Sequence, residues 1–185
     1  MTHHSFTKQP PFTTASIANL YTCVPQTQID GIPIVSEIFR KAGVRHALAG
    51  GLAVGCNGFL RNTNNIDVVV DDSAFIFREG VTYIRNDLPI KYYGTNVNWI
   101  SLSPSEKPMF DEFLRVPAPG DIPIMPIEPL IAMKLISARH KDRTDIIELL
   151  KIWGDLSSIE SFVKKHIPQR LPMLEQLEIC AEEEK

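Results

Sequence analysis

Cysteine is scarce in this chain, and the three residues present, Cys23, Cys56 and Cys180, lie far apart with no Cys-x-x-Cys pair. An odd, scattered set argues against a disulfide framework and points to a reducing compartment. The five histidines do not gather near these cysteines at ligand spacing, which argues against a structural zinc site. No apolar run is long enough to span a bilayer, and the opening MTHHSFTKQPPF lacks the apolar core of a secretory signal. A basic excess is missing as well: the net charge is −3, so no global positive field points to nucleic acid, which leaves only a local basic surface open. There is no internal repeat. These absences predict a cytoplasmic, soluble protein without a membrane partner. Its 185 residues suit one medium domain with a small helical appendage.

The polar, proline-containing residues 1–15 are predicted to be disordered, with His3 and His4 solvated rather than metal-bound. Ser16 to Tyr21 reads as a short helix. Over Ile32 to Lys41 the apolar residues Ile34, Val35, Ile38 and Phe39 recur at helical spacing, and Gly43 sits where a C-cap belongs. A short strand, VRHALAGG, ends in Gly50 and Gly51. A short helix closed by Asn57 and Gly58 follows it, then the strand IDVVV, with Asp71, Asp72 and Ser73 placed to cap a further turn. VTYI and VNWISL read as strands, with turns at Pro89 and Gly94. Glu112 to Val116 is ambiguous, and PAPGDIPIMP is a loop leading to a short apolar strand. Beyond it, EPLIAMKLISARHKDRTDIIELLKIWG reads as two helices, with Pro129 in the first turn of one and Asp142 to Asp145 capping the other. Ile146, Ile147, Leu149, Leu150 and Trp153 line the buried side of the second. Ser157 to His166 and Leu171 to Ala181 are further amphipathic segments. This order predicts an α/β or α+β fold: a short mixed sheet backed by helices over residues 16–155, with a C-terminal helical extension over 156–185.

One strand carries an anomaly. Asp67 lies between Ile66 and the run Val68 to Val70, where an ionised side chain is costly unless compensated. Asn65, two residues earlier, shares its face. Upstream, Gly50 and Gly51 separate a strand from a helix, a place where backbone approaches a ligand closely and a helix start offers free N–H groups to an anion such as phosphate. Two acids on that strand face would supply oxygen ligands for Mg²⁺ beside the phosphates. Asp67 therefore reads as a cleft residue.

Taken together, ALAGGLAVGCNGFLRNTNNIDVVV resembles the signature of the nucleotidyltransferase superfamily, a Gly-Gly or Gly-Ser turn followed by Arg-x-Thr-x-Asp-x-Asp. The downstream EPLIAMKLISARHKDRTDIIELL is similar to the second signature of its minimal nucleotidyltransferase (MNT) and AbiEii-like branch, found in bacterial toxin–antitoxin systems. The resemblance spans residues 32 to 150. It implies that Gly50 and Gly51 hold the β- and γ-phosphates of a nucleoside triphosphate, while Arg61 and Thr63 support the turn before the catalytic strand. Asn65 and Asp67 take the positions of the two catalytic aspartates, and Asn98 loosely that of the third carboxylate, so Asp67, Asn65 and Asn98 would form the metal set. Lys134 would face the triphosphate, with Lys141, Asp142 and Asp145 ordering the cleft from the helical side. The implied activity is binding an NTP with Mg²⁺ and transferring NMP to an RNA or protein hydroxyl, with a partner protein of a toxin–antitoxin-like pair.

The departures oppose that activity. Asparagine offers a neutral carbonyl oxygen in place of a carboxylate, so the set keeps one formal charge where active relatives have three, and Mg²⁺ affinity falls. Three explanations compete: a catalytically inactive nucleotide- or partner-binding module; an enzyme that draws its third acid from Asp71, Asp111 or Glu112; or an introduced Asp→Asn change at position 65. Elsewhere, Asp71 and Asp72 read as caps and His46 as structural. His140 reads as exposed, Trp99 and Trp153 as core, and Cys56 as a small apolar filler without a neighbouring base.

Overall fold

The computed structural model describes residues 17, 19–111 and 113–185. The segment 1–15, Ser16, Ala18 and Glu112 lie outside the described residues. After a 3-10 turn at Asn19–Thr22, helix α1 (Gln26–Lys41) leads into β1 (His46–Leu48), α2 (Gly50–Cys56) and β2 (Asn65–Val70). The hairpin β3 (Phe75–Arg78) and β4 (Val81–Ile84) comes next, followed by β5 (Lys91–Tyr92), β6 (Thr95–Ser101) and a one-turn α3 (Lys107–Phe110). The chain ends in four helices: α4 (Ile127–Ser137), α5 (His140–Ile152), α6 (Leu156–His166) and α7 (Leu171–Glu183).

The main sheet has the order β1-β2-β6-β5. β1 runs antiparallel to β2, β6 parallel to β2, and β5 antiparallel to β6. This is the mixed sheet that the element order predicts. Isolated bridges from His46 to Arg115 and from Leu48 to Ile124 extend it at the β1 edge, so the ambiguous segment and the short apolar strand both come to rest there. β3 and β4 form a two-stranded sheet of their own. Among the described residues no helix is long and apolar enough to cross a membrane.

α1 begins six residues before the expected start at Ile32, because Pro33 is tolerated inside it. Its buried stripe is Ile29, Ile32, Val35 and Phe39, whereas Ile34 is largely exposed, so the packed face is rotated from the one read in the sequence. The close seat of α1 on the sheet requires Gly31, where a Cβ would come within 2.6 Å of the Tyr92 ring and 3.1 Å of Ile66. The helix ends as the sequence suggests. Val44 N donates to the Phe39 carbonyl and Gly43 N to that of Arg40, each at 3.0 Å, and Gly43 has φ +72°. This is the Schellman arrangement, in which glycine adopts the left-handed conformation at no steric cost.

The core is continuous. Phe39, Leu52, Ile66, Val69, Leu130, Ile131, Leu135, Leu149, Ile159 and Leu174 belong to one buried cluster, so α6 and α7 share apolar contacts with the helices before them. Trp99 packs edge-on against Phe39 at 5.7 Å and donates Nε1–H to the Pro89 carbonyl at 2.8 Å.

His46 is buried at the start of β1, its Nδ1 2.9 Å from the Val44 carbonyl and its Nε2 2.8 Å from Ser36 Oγ. The carbonyl can only accept, so Nδ1 carries the proton and Nε2 accepts from the Ser36 hydroxyl. Burial pushes this imidazole below its ordinary value of 6.5, partly countered by the Val44 bond and the Asp71 charge. The unfolded chain then binds the proton more readily than the folded one. The contribution is whole above about pH 6.5 and is lost as pH falls through the lower folded value. Denaturant midpoints are expected to drop on going from about pH 7 to pH 5.5, and His46→Gln is expected to flatten that slope.

Candidate functional site

The site is built where β2 and β6 run side by side. Their parallel register sets Asn65 opposite Asn96 and Asp67 opposite Asn98, so four side chains leave one face of the sheet. Ile66 and Val97, on the other face, are buried in the core. Asp67 is half-buried and Asn98 exposed. Asn98 Nδ2 donates to Asp67 Oδ1 at 2.8 Å. An ionised carboxylate only accepts, so the amide presents its NH₂ group here. Asn65 is half-buried, and its backbone carbonyl accepts from Gln28 Nε2 at 2.7 Å.

The second carboxylate oxygen, Oδ2, lies over Gly50. A Cβ built at Gly50 would run into Oδ2 and come within 2.7 Å of Asp67 Cγ and 2.8 Å of its Cβ. Gly50 also has φ +59°, a conformation side chains resist. Ala49 N donates to the Asp67 carbonyl at 2.8 Å, which pins the turn to β2. Gly51 is placed differently: it is buried, and a Cβ there would come within 2.8 Å of Thr63 Oγ1 and 3.0 Å of Arg61 Nη1. Gly50 alone of the pair is partly open, while Gly51 serves as the seat of the Arg61–Thr63 segment.

That segment is held from behind by a buried ionic chain. Arg61 donates from Nε and Nη2 to the two oxygens of Asp145, at 2.5 and 2.8 Å. Asp145 also accepts from Lys134 Nζ at 2.5 Å, and Lys134 donates a second bond to Asp142 Oδ1 at 3.2 Å. Arg139 Nε closes the chain on Asp142 Oδ2 at 2.7 Å. Lys134, Asp142 and Asp145 are 3%, 1% and 0% exposed, so their charges compensate one another out of water. Lys134, expected to face a triphosphate, has its ammonium engaged by two buried carboxylates. Asp142 and Asp145, expected to cap α5, instead lie on its buried face, and Arg139 stands at the N-cap without a side-chain capping bond. Lys141 is exposed and does not pair with Asp145.

Burial alone would push the Asp142 carboxyl up. The hydrogen bond from Arg139, the Lys134 charge and bonds from Ser137 and Lys134 outweigh it and hold the group at about 2. Arg139 is a residue the sequence reading passed over. Its side chain is 63% exposed, and its guanidinium is held above its ordinary value first by Asp142 and further by the charges of Asp67 and Asp145. In the sequence it is the arginine that opens the Arg-x-Lys-Asp-x2-Asp run of residues 139–145, at a helix start where the dipole disfavours a cation.

Asp71 and Asp111 do not reach this site. Asp71 accepts from Arg45 Nε at 2.7 Å and from Ser73 N at 3.2 Å, and Asp111 accepts from Arg45 Nη2 at 3.1 Å. Both line a cavity of about 90 Å³ with Asp72 and Lys107. Asp71 follows β2 four residues beyond Asp67, roughly 13 Å at the strand rise. Neither supplies a third acid beside Asp67, which corrects that expectation. Asp71 does cap the turn Asp72–Ala74, as its sequence context suggested. Cys56 is pushed up to about 12 by burial, so its thiol stays protonated and unreactive.

No family model and no curated protein matches the chain. Among solved structures, it is similar to the crystal structure of an antigenic nucleotidyltransferase-like protein from Paracoccidioides brasiliensis, at 13% identity and a TM-score of 0.46, over 83% of this chain and 94% of that one.

The ionic chain makes a sharp contrast testable by thermal denaturation. Asp145→Asn leaves Lys134 and Arg61 short of a counter-charge and is expected to cost about 3–5 kcal/mol. Lys141→Ala, on the exposed side of the same helix, is expected to stay within about 0.5 kcal/mol of wild type.

Proposed function

We propose that the chain is a nucleotidyltransferase-like protein that holds a nucleoside triphosphate in the crevice between the Gly50 turn and the Asp67–Asn98 rung, with little or no nucleotidyl transfer. The observation that carries this reading is the position of the Asp67 carboxylate against Gly50. The lone acid of an apolar strand faces the turn where the resemblance expects phosphates.

The donor set tests what metal it suits. Asp67 gives one oxygen to the Asn98 amide and keeps one, and Asn65 and Asn98 add neutral carbonyl oxygens. Such a set fits a single Mg²⁺ bound together with substrate phosphates, which it would help to neutralise, and does not fit a pair of metals. The chain's own part is then positional. The Gly50 turn admits the ligand close to backbone, and the Arg61–Asp145 bond fixes the Thr63 segment over Gly51. Arg139 offers a partly exposed cation within the electrostatic reach of Asp67. Nothing in this arrangement supplies the second charge cluster that would activate an attacking hydroxyl. An RNA or protein acceptor belongs to the active version of the family resemblance, whereas a toxin–antitoxin-like partner suits the inactive module equally.

Calorimetric titration with the four NTPs, with and without Mg²⁺, is the direct measurement. Binding is expected in the micromolar to millimolar range with Mg²⁺, and to be weakened at least tenfold by Gly50→Ala. Absence of heat with every NTP overturns the reading. For transfer, Asn65→Asp together with Asn98→Asp restores the carboxylates. Labelled NMP incorporation rising above a wild-type background is expected if the scaffold descends from an enzyme. An already active wild type would refute the loss of transfer.

A further inference from the structure

The β3–β4 hairpin is not absorbed by any of this. Its connection is Glu79–Gly80, with φ +50° and +77°. Two positive φ values in a two-residue loop mark a type I′ turn. That turn makes Arg78 and Val81 the first hydrogen-bonded pair, and the pairs alternate along the ladder, so the N–H and C=O groups of Thr82 and Ile84 point away from β3. Among the described residues no strand pairs with that outer edge.

The side chains agree. Val81, Tyr83 and Ile84 are 50%, 51% and 57% exposed, and Phe77 across the ladder is 62% exposed. β4 reads VTYI, with none of the charges or prolines that keep a free edge from pairing. A two-stranded sheet is marginal in water, whereas three or more strands stand on their own. An uncharged edge offers no complementary charge to a strongly charged partner strand. Against its own copy it sets no like charges opposite each other.

We propose that β4 pairs antiparallel with β4 of a second copy of this chain, about a two-fold axis at Tyr83, to make a continuous four-stranded sheet. A two-fold keeps each side chain on its own face of the sheet only when a residue faces itself on the axis. With Tyr83 there, Thr82 faces Ile84 of the partner subunit, which joins the outward-pointing groups of both edges. The contact is small, so the dimer belongs among weak, micromolar associations. The hairpin leaves β2 at the end away from Asp67, so the crevice stays open and this proposal stands apart from nucleotide binding.

Sedimentation equilibrium of the full chain over roughly 1–200 µM tests it. A reversible monomer–dimer equilibrium is expected for wild type, weakened at least tenfold by Tyr83→Lys and by Thr82→Pro, with far-UV circular dichroism unchanged for at least one of them. Tyr83→Cys places two thiols at the axis and is expected to give a covalent dimer on mild oxidation. The wild type, whose three cysteines are half-buried, is expected to give none. A wild type that stays monomeric across the range, or a Tyr83→Cys chain that does not cross-link, overturns the proposal. So does a dimer that both edge variants leave intact. A monomer whose Thr82 and Ile84 amides are protected from hydrogen exchange overturns it as well, because the edge then has another occupant.

Discussion

An ionised carboxylate in a run of buried aliphatics is stable only if its charge finds donors and space, and at Asp67 the space comes from a missing side chain. The Gly50 Cα lies where any other residue would put a Cβ into the carboxylate. Two segments far apart in the alphabet of the chain are therefore one feature: the glycine exists so that the aspartate can stand there. The bond from Ala49 N to the Asp67 carbonyl ties them a second time, through backbone. Any reading of this crevice, catalytic or not, has to begin from that contact.

The contact would be worth little if the chain between Gly51 and Asn65 were free to move. It is held by charge. Arg61 grips Asp145 with two parallel bonds, and Asp145 is in turn compensated by Lys134. Burying such groups is expensive, and an apolar replacement of the whole set need not be less stable. What the ionic chain gives is direction: a forked guanidinium on a carboxylate fixes orientation as well as distance. The Thr63 segment is thereby seated on Gly51, and α4 and α5 are joined to the strand that carries Asp67.

Local chemistry made part of this legible in the sequence. Gly43 as a helix stop, the apolar run of β2, the strand VTYI and the last four helices depend on neighbours a few residues away, which makes them readable. The start of α1 was not, because Pro33 resembles a boundary and only packing of Ile29 and Ile32 on the sheet carries the helix back to Gln26. β3 and β5 are less legible: Phe75–Arg78 follows Asp71–Ser73 where a capped helical turn is expected, and Lys91–Tyr92 is only two residues long. Asp142 and Asp145 resembled caps on a solvated helix because their partners lie elsewhere: Arg61 is 84 residues from Asp145. Buried charge is decided by tertiary partners. Asn98 was placed by resemblance alone, and its register opposite Asp67 is a property of the parallel pairing of β2 with β6.

That register also shows what asparagine at position 98 does that an aspartate could not. An aspartate opposite Asp67 would set two carboxylates against each other, a pair that is stable only with a cation between them or a proton shared. An amide removes the repulsion and donates to Asp67, so the rung is satisfied with nothing bound. A cation entering this rung would have to displace a hydrogen bond already made, where in a carboxylate pair it would relieve a repulsion. Compared with an aspartate, asparagine here has one charge fewer and one donor more. In the proposed binding role, the rung is therefore formed before its ligand arrives.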